Sequence, residues 1–438
     1  MHYAAPQRIR QADRLLAVAV IAHKRLVIVT ALFLALILVI LARLTSFVLF
    51  EEAQAFQSQA TEYLPPRADI VDRNGVPLAR TIPAYSIWVR PDQVIGDPTE
   101  LAGQLHQIFP DLSEQEIRAK LTSKRPGYLK RRVLPEEAKA VNYLGEPGLE
   151  YPREPERLYP EGKLAAHVLG FTSMSGQGRM GMERVLDERL TDAGRRGEPA
   201  MLSLDARVQG ALEYELDRGM KVSNAKGAAG IVLDVETGEV IAMASLPSFD
   251  PNRVRPDDIK NQLNDVTNNV YELGSTFKPL TVAAALDAGT VRNLAVRYDA
   301  TAPLKVGGFS ISDDHPSKRW LNVPETLVHS SNIVTARIAD NLGKERLEAT
   351  MRKLHMDRRP DVELYERGMP LWPKSWGRVT NMTVAYGHGI AVTPLHLASA
   401  YAALVNGGIF RPATMLRVKP GTQVEGERVF TAATSARM

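Results

Sequence analysis

Residues 26–42, LVIVTALFLALILVILA, run for seventeen positions without a charge, and past Arg43 the apolar character continues to Phe50. No other feature constrains the fold as tightly, because this run meets the short limit for a helix that crosses a bilayer. Arg43 does not end the span, since an arginine near a helix end can extend its charge to the headgroups. The flanks set the direction. Arg8, Arg10, Arg14, Lys24 and Arg25 precede the run against a single Asp13, and Glu51 and Glu52 follow it. The positive-inside rule then leaves residues 1–25 in the cytoplasm, makes 26–50 a transmembrane signal-anchor and exports the remainder. A cleaved signal peptide fits less well, because the apolar core is long for one. The charge asymmetry also argues against a helix buried in a soluble core.

The exported part has room for two packed domains in a chain of 438 residues that is 45% apolar. A net charge of +4, spread along the chain, gives no reason to expect nucleic acid as a partner. With no cysteine, disulfides, cysteine-ligated metal sites and a thiol nucleophile are all excluded. Residues 51–196 read as short mixed elements. RADIVDRNGVPLAR (67–80) predicts a strand, an Asn74-Gly75 turn and more extended chain. LSEQEIRAKLT (112–122) predicts a helix opened by a Ser113…Glu116 capping box. The proline-rich YPREPERLYPEG (151–162) reads as a crossing linker. GQGRMG (176–181) matches a dinucleotide-binding pattern, but no repeating β-α-β pattern surrounds it, and a flexible turn before a helix is expected instead.

From residue 197 to 438 the pattern becomes more regular. SLDARVQGALEYELDRGMK predicts an amphipathic helix with Val208, Leu212 and Leu216 on one face and Ser203 or Asp205 as its N-cap. An antiparallel pair follows in GAAGIVLDVETGEVIAMASL, turning at Glu-Thr-Gly, so an α+β domain with a sheet core is expected. The chain then carries two Ser-x-x-Lys sequences. SNAK (223–226) lies between helix and strand and reads as a solvated turn. STFK (275–278) opens a segment, PLTVAAAL, that is apolar almost throughout and therefore predicts a buried helix. Ser275 and Lys278 fall one turn apart on one face. A lysine kept from water there favours its neutral form, and a neutral amine can take the proton of a serine that attacks a carbonyl. Helix N-terminal N–H groups can support the developing oxyanion. A helix cap at Ser275 with a surface lysine at 278 is the competing reading. Ahead of another apolar-periodic helix stand Ser330, Ser331 and Asn332, a set that can relay a proton and hold a substrate amide, or merely cap the helix.

These pieces, with RLYPEGKLAAHVLGF, VLDVETGEVIAMASLPSFDPN, YELGSTFKP and YGHGIAVTPLHLA, resemble a class B penicillin-binding protein, a monofunctional peptidoglycan D,D-transpeptidase. VYELGSTFK and GGFSISDDHPSKRW are most similar to the cell-division (septal) subtype, with an elongation-type enzyme as the alternative. The resemblance implies a membrane-anchored α+β protein: a mixed α/β pedestal (dimerisation-type) domain over 51–196, then a transpeptidase fold of antiparallel sheet and helices over 197–438. It implies that Ser275 attacks the penultimate D-alanine carbonyl of a stem peptide, Lys278 is the general base, Ser330 relays protons and Asn332 binds the substrate amide. β-Lactams would acylate the same serine. No metal or organic cofactor is implied. The expected location is the bacterial inner membrane with the bulk in the periplasm, beside division-complex membrane proteins that include a glycan polymerase. A non-catalytic penicillin-sensing protein on the same fold is a rival function, and a β-lactamase is a weaker one.

The pattern breaks in one place. The family's Lys-Thr/Ser-Gly triplet does not occur in these 438 residues, and Lys419-Pro420-Gly421-Thr422 reads as a surface turn rather than its substitute. The chain is therefore expected to be C-terminally truncated, with exposed sheet edges and impaired acylation in this form.

Overall fold

The computed structural model describes residue 20, residues 23–41 and residues 66–438, divided into two units at Leu64/Pro65. Arg8, Arg10, Asp13, Arg14, Arg43, Glu51 and Glu52, on which the orientation rests, lie outside the described residues. In the first unit, α1 (His23–Leu41) has 19 residues, a mean hydropathy of 2.6 and no part of its apolar window buried. At about 1.5 Å per residue it reaches about 28 Å, which suits a hydrocarbon layer of about 30 Å. Thr30, its lone hydroxyl, donates to the Leu26 carbonyl at 2.8 Å, so that polar group is satisfied within the helix.

The second unit begins with a six-stranded sheet. It contains β1 (Ile70–Val71), β2 (Pro77–Val89), β3 (Gly127–Val133), β4 (Leu149–Glu150), β5 (Arg153–Leu158) and β6 (Ala200–Met201). β1 and β2 pair antiparallel across the predicted turn, where the Asp72 carboxylate accepts from the backbone of Asn74 (2.7 Å) and Val76 (2.8 Å). Gly75 takes φ +85°, a left-handed conformation that glycine adopts freely. Thirteen-residue β2 serves two lobes. Its first half pairs with β5, and its second half joins β3 and β4. Against that second half pack α2 (Pro98–Ile108) and α3 (Glu114–Leu121), through a core that includes Ile87, Leu105, Phe109 and Ile117. The expected Ser113–Glu116 capping box forms on α3.

Two sequence expectations fail here, the second only in part. YPREPERLYPEG is not a linker, because Arg153–Leu158 is strand β5, in register with β2 from Arg80↔Leu158 to Tyr85↔Arg153. Among the described strands β5 pairs with β2 alone, and an edge strand tolerates a proline that lacks a donor. GQGRMG does lead through a turn into a short helix, Gly181–Val185, but its glycines are not there for flexibility. A Cβ on Gly178 would lie 2.1 Å from the Glu183 carbonyl oxygen, and one on Gly181 would lie 2.5 Å from that of Val168. These glycines serve close backbone packing. What they hold in place is Glu183, whose fully buried carboxylate accepts from Arg67 Nε and Arg157 Nε, each at 2.6 Å. One carboxylate thus ties the residues before β1, strand β5 and the glycine loop together.

The chain then enters α4 (Ala206–Ser223), capped by Asp205 rather than Ser203. The Gln209 side chain accepts from the Met243 N–H (2.8 Å) and donates to the Met243 carbonyl (2.9 Å), fastening α4 to the next hairpin. That hairpin is β7 (Ala228–Leu233) and β8 (Val240–Leu246), paired antiparallel as expected. β8 is largely buried, whereas β7 and the Val208, Leu212 and Leu216 face of α4 are half-buried, and β7 pairs with β8 alone among the described strands. Met243, Val240 and Leu202 share one core with Ile70, Leu78 and Leu169, so the packing crosses residue 196 without a gap.

Next comes α5 (Lys278–Asp287), the hub of the remaining helices. Phe277, Leu280, Ala283 and Ala284 enter one core, and Val282, Ala285 and Leu286 enter another. A helix apolar on all sides needs cover on all sides, as its sequence indicates. The cover comes from α6 (Asn332–Leu342), α7 (Arg378–Val384) and α8 (Pro394–Val405), while small strands β9 (Arg297–Asp299), β10 (Leu304–Val306), β11 (Phe309–Ile311) and β12 (Trp320–Asn322) flank α6.

Candidate active site

STFK is a junction of two helix types. Gly274–Phe277 is a single 3-10 turn, and α5 begins at Lys278. Ser275 therefore sits just outside the helix, exposed, while Lys278 is 1% exposed. Both halves of the competing reading fall away, since the helix receives no side-chain cap and the lysine is not on the surface. Gly274 takes φ +58°, and Gly387, at φ +75°, packs so closely that a Cβ on it would lie 2.2 Å from the Gly274 carbonyl oxygen. The YGHG segment braces the serine turn further. Gly274 N–H donates to the Gly387 carbonyl at 3.2 Å, Gly389 N–H donates to Glu272 at 2.9 Å, and His388 lies 3.0 Å from Glu272.

The loop before α6 supplies the partners. Ser331 caps α6, its hydroxyl accepting from Val334 N–H, which leaves Ser330 and Asn332 available to the site. Ser330 is held at φ +51°, a left-handed conformation costly for a non-glycine residue. Its hydroxyl stands between the other two groups, 2.9 Å from Ser275 Oγ and 2.8 Å from Lys278 Nζ, and its carbonyl accepts from Lys278 Nζ at 2.5 Å. Lys278 thus reaches Ser275 through Ser330, not directly. Asn332 donates to the Ser312 carbonyl at 3.1 Å. Ser275, Lys278 and Ser330 form one hydrogen-bonded chain, and Asn332 lies two residues beyond it. SNAK does nothing comparable: Ser223 closes α4 and donates to Gly219.

Burial pushes Lys278 down from the usual lysine value of 10.5 to about 8, against the opposing fields of Asp313 and Asp314. Asp313 was not anticipated from the sequence as part of the site. Its buried carboxylate accepts from Ser331 Oγ (2.8 Å) and Ile333 N–H (2.9 Å), which anchors the Ser-Ser-Asn loop. The only trace of it in the sequence is two adjacent aspartates before a His-Pro, a pattern that also suits an ordinary turn. The chemistry open to this arrangement is acyl transfer: an exposed hydroxyl, a relay hydroxyl and an amine whose neutral form is far more available near neutral pH than an ordinary lysine's.

Residues 228–438 match the Penicillin binding protein transpeptidase domain, and residues 62–202 match the Penicillin-binding Protein dimerisation domain. Together these cover well over half of the chain. The chain belongs to the penicillin-binding protein transpeptidase family. Relatives agree. A probable peptidoglycan D,D-transpeptidase FtsI of Caulobacter vibrioides is 40% identical over 373 residues, 85% of this chain and 63% of its own length. The probable peptidoglycan D,D-transpeptidase PenA of Neisseria meningitidis is 30% identical over 410 residues, 86% of this chain and 69% of its own. The chain thus spans about two thirds of the length of these relatives. The fold agrees with Penicillin Binding Protein 2X from Streptococcus thermophilus, with a TM-score of 0.68 at 20% identity over 85% of this chain and 64% of that one. The α+β architecture expected from the family likeness is therefore the one found, with a mixed sheet-and-helix module and the transpeptidase fold, and the N-terminal helix is long and apolar enough to cross a membrane.

Proposed function

We propose that this protein is a serine D,D-transpeptidase that crosslinks peptidoglycan stem peptides during septal wall synthesis. Residues 26–50 anchor it in the bacterial inner membrane with residues 1–25 in the cytoplasm, 51–196 form the pedestal, and 197–438 belong to the catalytic domain. The observation that carries the reading is the chain Ser275–Ser330–Lys278, with its lysine withdrawn from water. Neutral Lys278 takes the Ser330 proton as Ser330 takes the Ser275 proton, and every hydroxyl in the relay can both donate and accept. Ser275 Oγ bonds to the penultimate D-alanine carbonyl carbon. The bond to the terminal D-alanine nitrogen then breaks, and that amine leaves with the proton returned along the relay. An ester to Ser275 remains. The amine of a second stem peptide attacks it, forming the crosslink and restoring the serine hydroxyl. Asn332 orients the substrate amide through its side-chain amide. The names of the relatives and the septal-type segments VYELGSTFK and GGFSISDDHPSKRW support the assignment, and β-lactams are the matching inhibitors. Partners expected on this reading are division-complex membrane proteins, among them a glycan polymerase.

The test is a fluorescent penicillin incubated with the protein, followed by mass mapping of the adduct. The expected result is one acyl adduct on Ser275 that is lost in Ser275→Ala. Labelling of another residue, labelling undiminished in that variant, or no adduct on prolonged incubation overturns the reading. Acylation is expected to be slow in the 438-residue form, which carries no Lys-Thr/Ser-Gly triplet, so the adduct is scored at its end point.

A further inference from the structure

A cavity of about 260 Å³ lies beside α6 and is lined by the small strands β9, β10 and β12 together with α7. Four cations line it, Arg297, Lys305, Arg337 and Arg378, against two carboxylates, Asp299 and Asp340. The acids are already engaged. Both Asp340 oxygens accept from Arg378 at 2.7 Å, and one Asp299 oxygen accepts from Thr301 N–H and Oγ. Arg337 spends Nε on the Asp299 carbonyl and has a carboxylate no nearer than 3.9 Å, while Arg297 lies 3.9 Å from Glu325. The Lys305 side chain is exposed and makes no hydrogen bond or ion pair among the described residues. Three cations thus lack a close carboxylate partner, and the half-exposed ring of Trp320 forms an apolar wall beside them. A volume of this size suits one amino-acid-sized group carrying an anion, less than a drug-sized ligand needs.

The cavity is tied to the catalytic loop. Arg337 and Asp340 lie five and eight residues along α6 from Asn332, about 8 to 12 Å along its axis. Leu304 of β10 faces Ile311 of β11, one residue before the Ser312 carbonyl that holds Asn332, which places that edge of the cavity roughly 8 Å from the residue that holds Asn332. Three or four extended residues bridge such a gap.

We infer that this cavity is a subsite for a carboxylate-bearing segment of the stem peptide, held while its reacting end lies at Ser275. The inference rests on the transpeptidase reading. The test uses the whole 438-residue chain in detergent. A fluorescently labelled acidic pentapeptide ending in D-Ala-D-Ala is the probe, alongside the same peptide with its side-chain carboxyls amidated. Binding is read by anisotropy in wild type, Lys305→Glu and Arg337→Gln, with Lys120→Glu, an exposed change on α3, as the control. Amidation and each cavity substitution should weaken binding about tenfold, as the loss of a charge-assisted hydrogen bond does, while the control binds as wild type. Lys305→Glu changes an exposed side chain and leaves the core intact, so a folding defect does not confuse the result. Equal binding of both peptides, or unchanged binding in both cavity variants, overturns the subsite. Displacement by inorganic phosphate as readily as by unlabelled acidic peptide overturns it too, leaving a general anion site. Penicillin labelling of wild-type Ser275 is scored separately: carboxylate-dependent binding without labelling supports the subsite while removing the catalytic reading.

Discussion

Lys278 should make the acylation rate of Ser275 rise with pH around a midpoint near 8. An ordinary lysine at 10.5 is about 0.03% neutral at pH 7, whereas one at about 8 is about 9% neutral, an increase of about 300-fold in competent base. Between pH 7 and pH 9 the neutral fraction climbs from about 9% to about 91%, so the rate should climb about tenfold and then level off. The cause of the shift, burial of a side chain that is 1% exposed, costs about 3 kcal/mol of stability while the lysine is charged in the folded state. The sign follows from the lowered folded value. Below pH 8 the cost is present in full, and it is relieved as pH rises from 8 towards 10.5, where the unfolded lysine also loses its proton. Wild type should therefore gain stability relative to Lys278→Met across that window. The assay is the acylation rate with a chromogenic β-lactam from pH 6 to 10, with chemical denaturation at pH 7 and 10 alongside. Asp314→Asn supplies the sharper check, because Asp314 is exposed, and its field raises the lysine value. Removing it should move the midpoint to lower pH. A flat profile between pH 7 and 9, a midpoint near 10.5, or a move to higher pH in Asp314→Asn would each refute the role of burial.

Ser330→Ala removes the link between Lys278 and Ser275 and should lower the acylation rate by about 10²–10⁴-fold with little change in melting temperature; a rate within a few fold of wild type would exclude the relay. Gly387→Ala places a Cβ against the Gly274 backbone and also strains a left-handed φ, so acylation should fall steeply by displacement of the serine turn, as stopped-flow labelling would show. Glu183→Gln leaves Arg67 and Arg157 facing a neutral group in a buried setting, and urea denaturation should register a loss of about 3–5 kcal/mol.

Much of the local structure is legible in the sequence, since capping, turn and periodicity rules act over a few residues. The Ser113 capping box, the Asn74-Gly75 turn and the β7–β8 hairpin depend on neighbours in the chain alone. The proline-rich segment misleads because a strand is a property of a pair: Arg153–Leu158 becomes extended and ordered only against β2. The glycines of GQGRMG mislead for the same reason, their contacts being with backbone brought near by the fold.

By itself the sequence determined that one helix is apolar and uncharged enough for a bilayer, that α5 must be buried on every side, and that serine, lysine and amide groups stand beside helix starts. These follow from side-chain chemistry and period. Only the tertiary structure decided that Lys278 meets Ser275 through Ser330, that Asp313 anchors the loop, and that four cations gather beside α6. Those outcomes depend on the approach of segments 18 to 81 residues apart in the chain, and no local pattern encodes that approach.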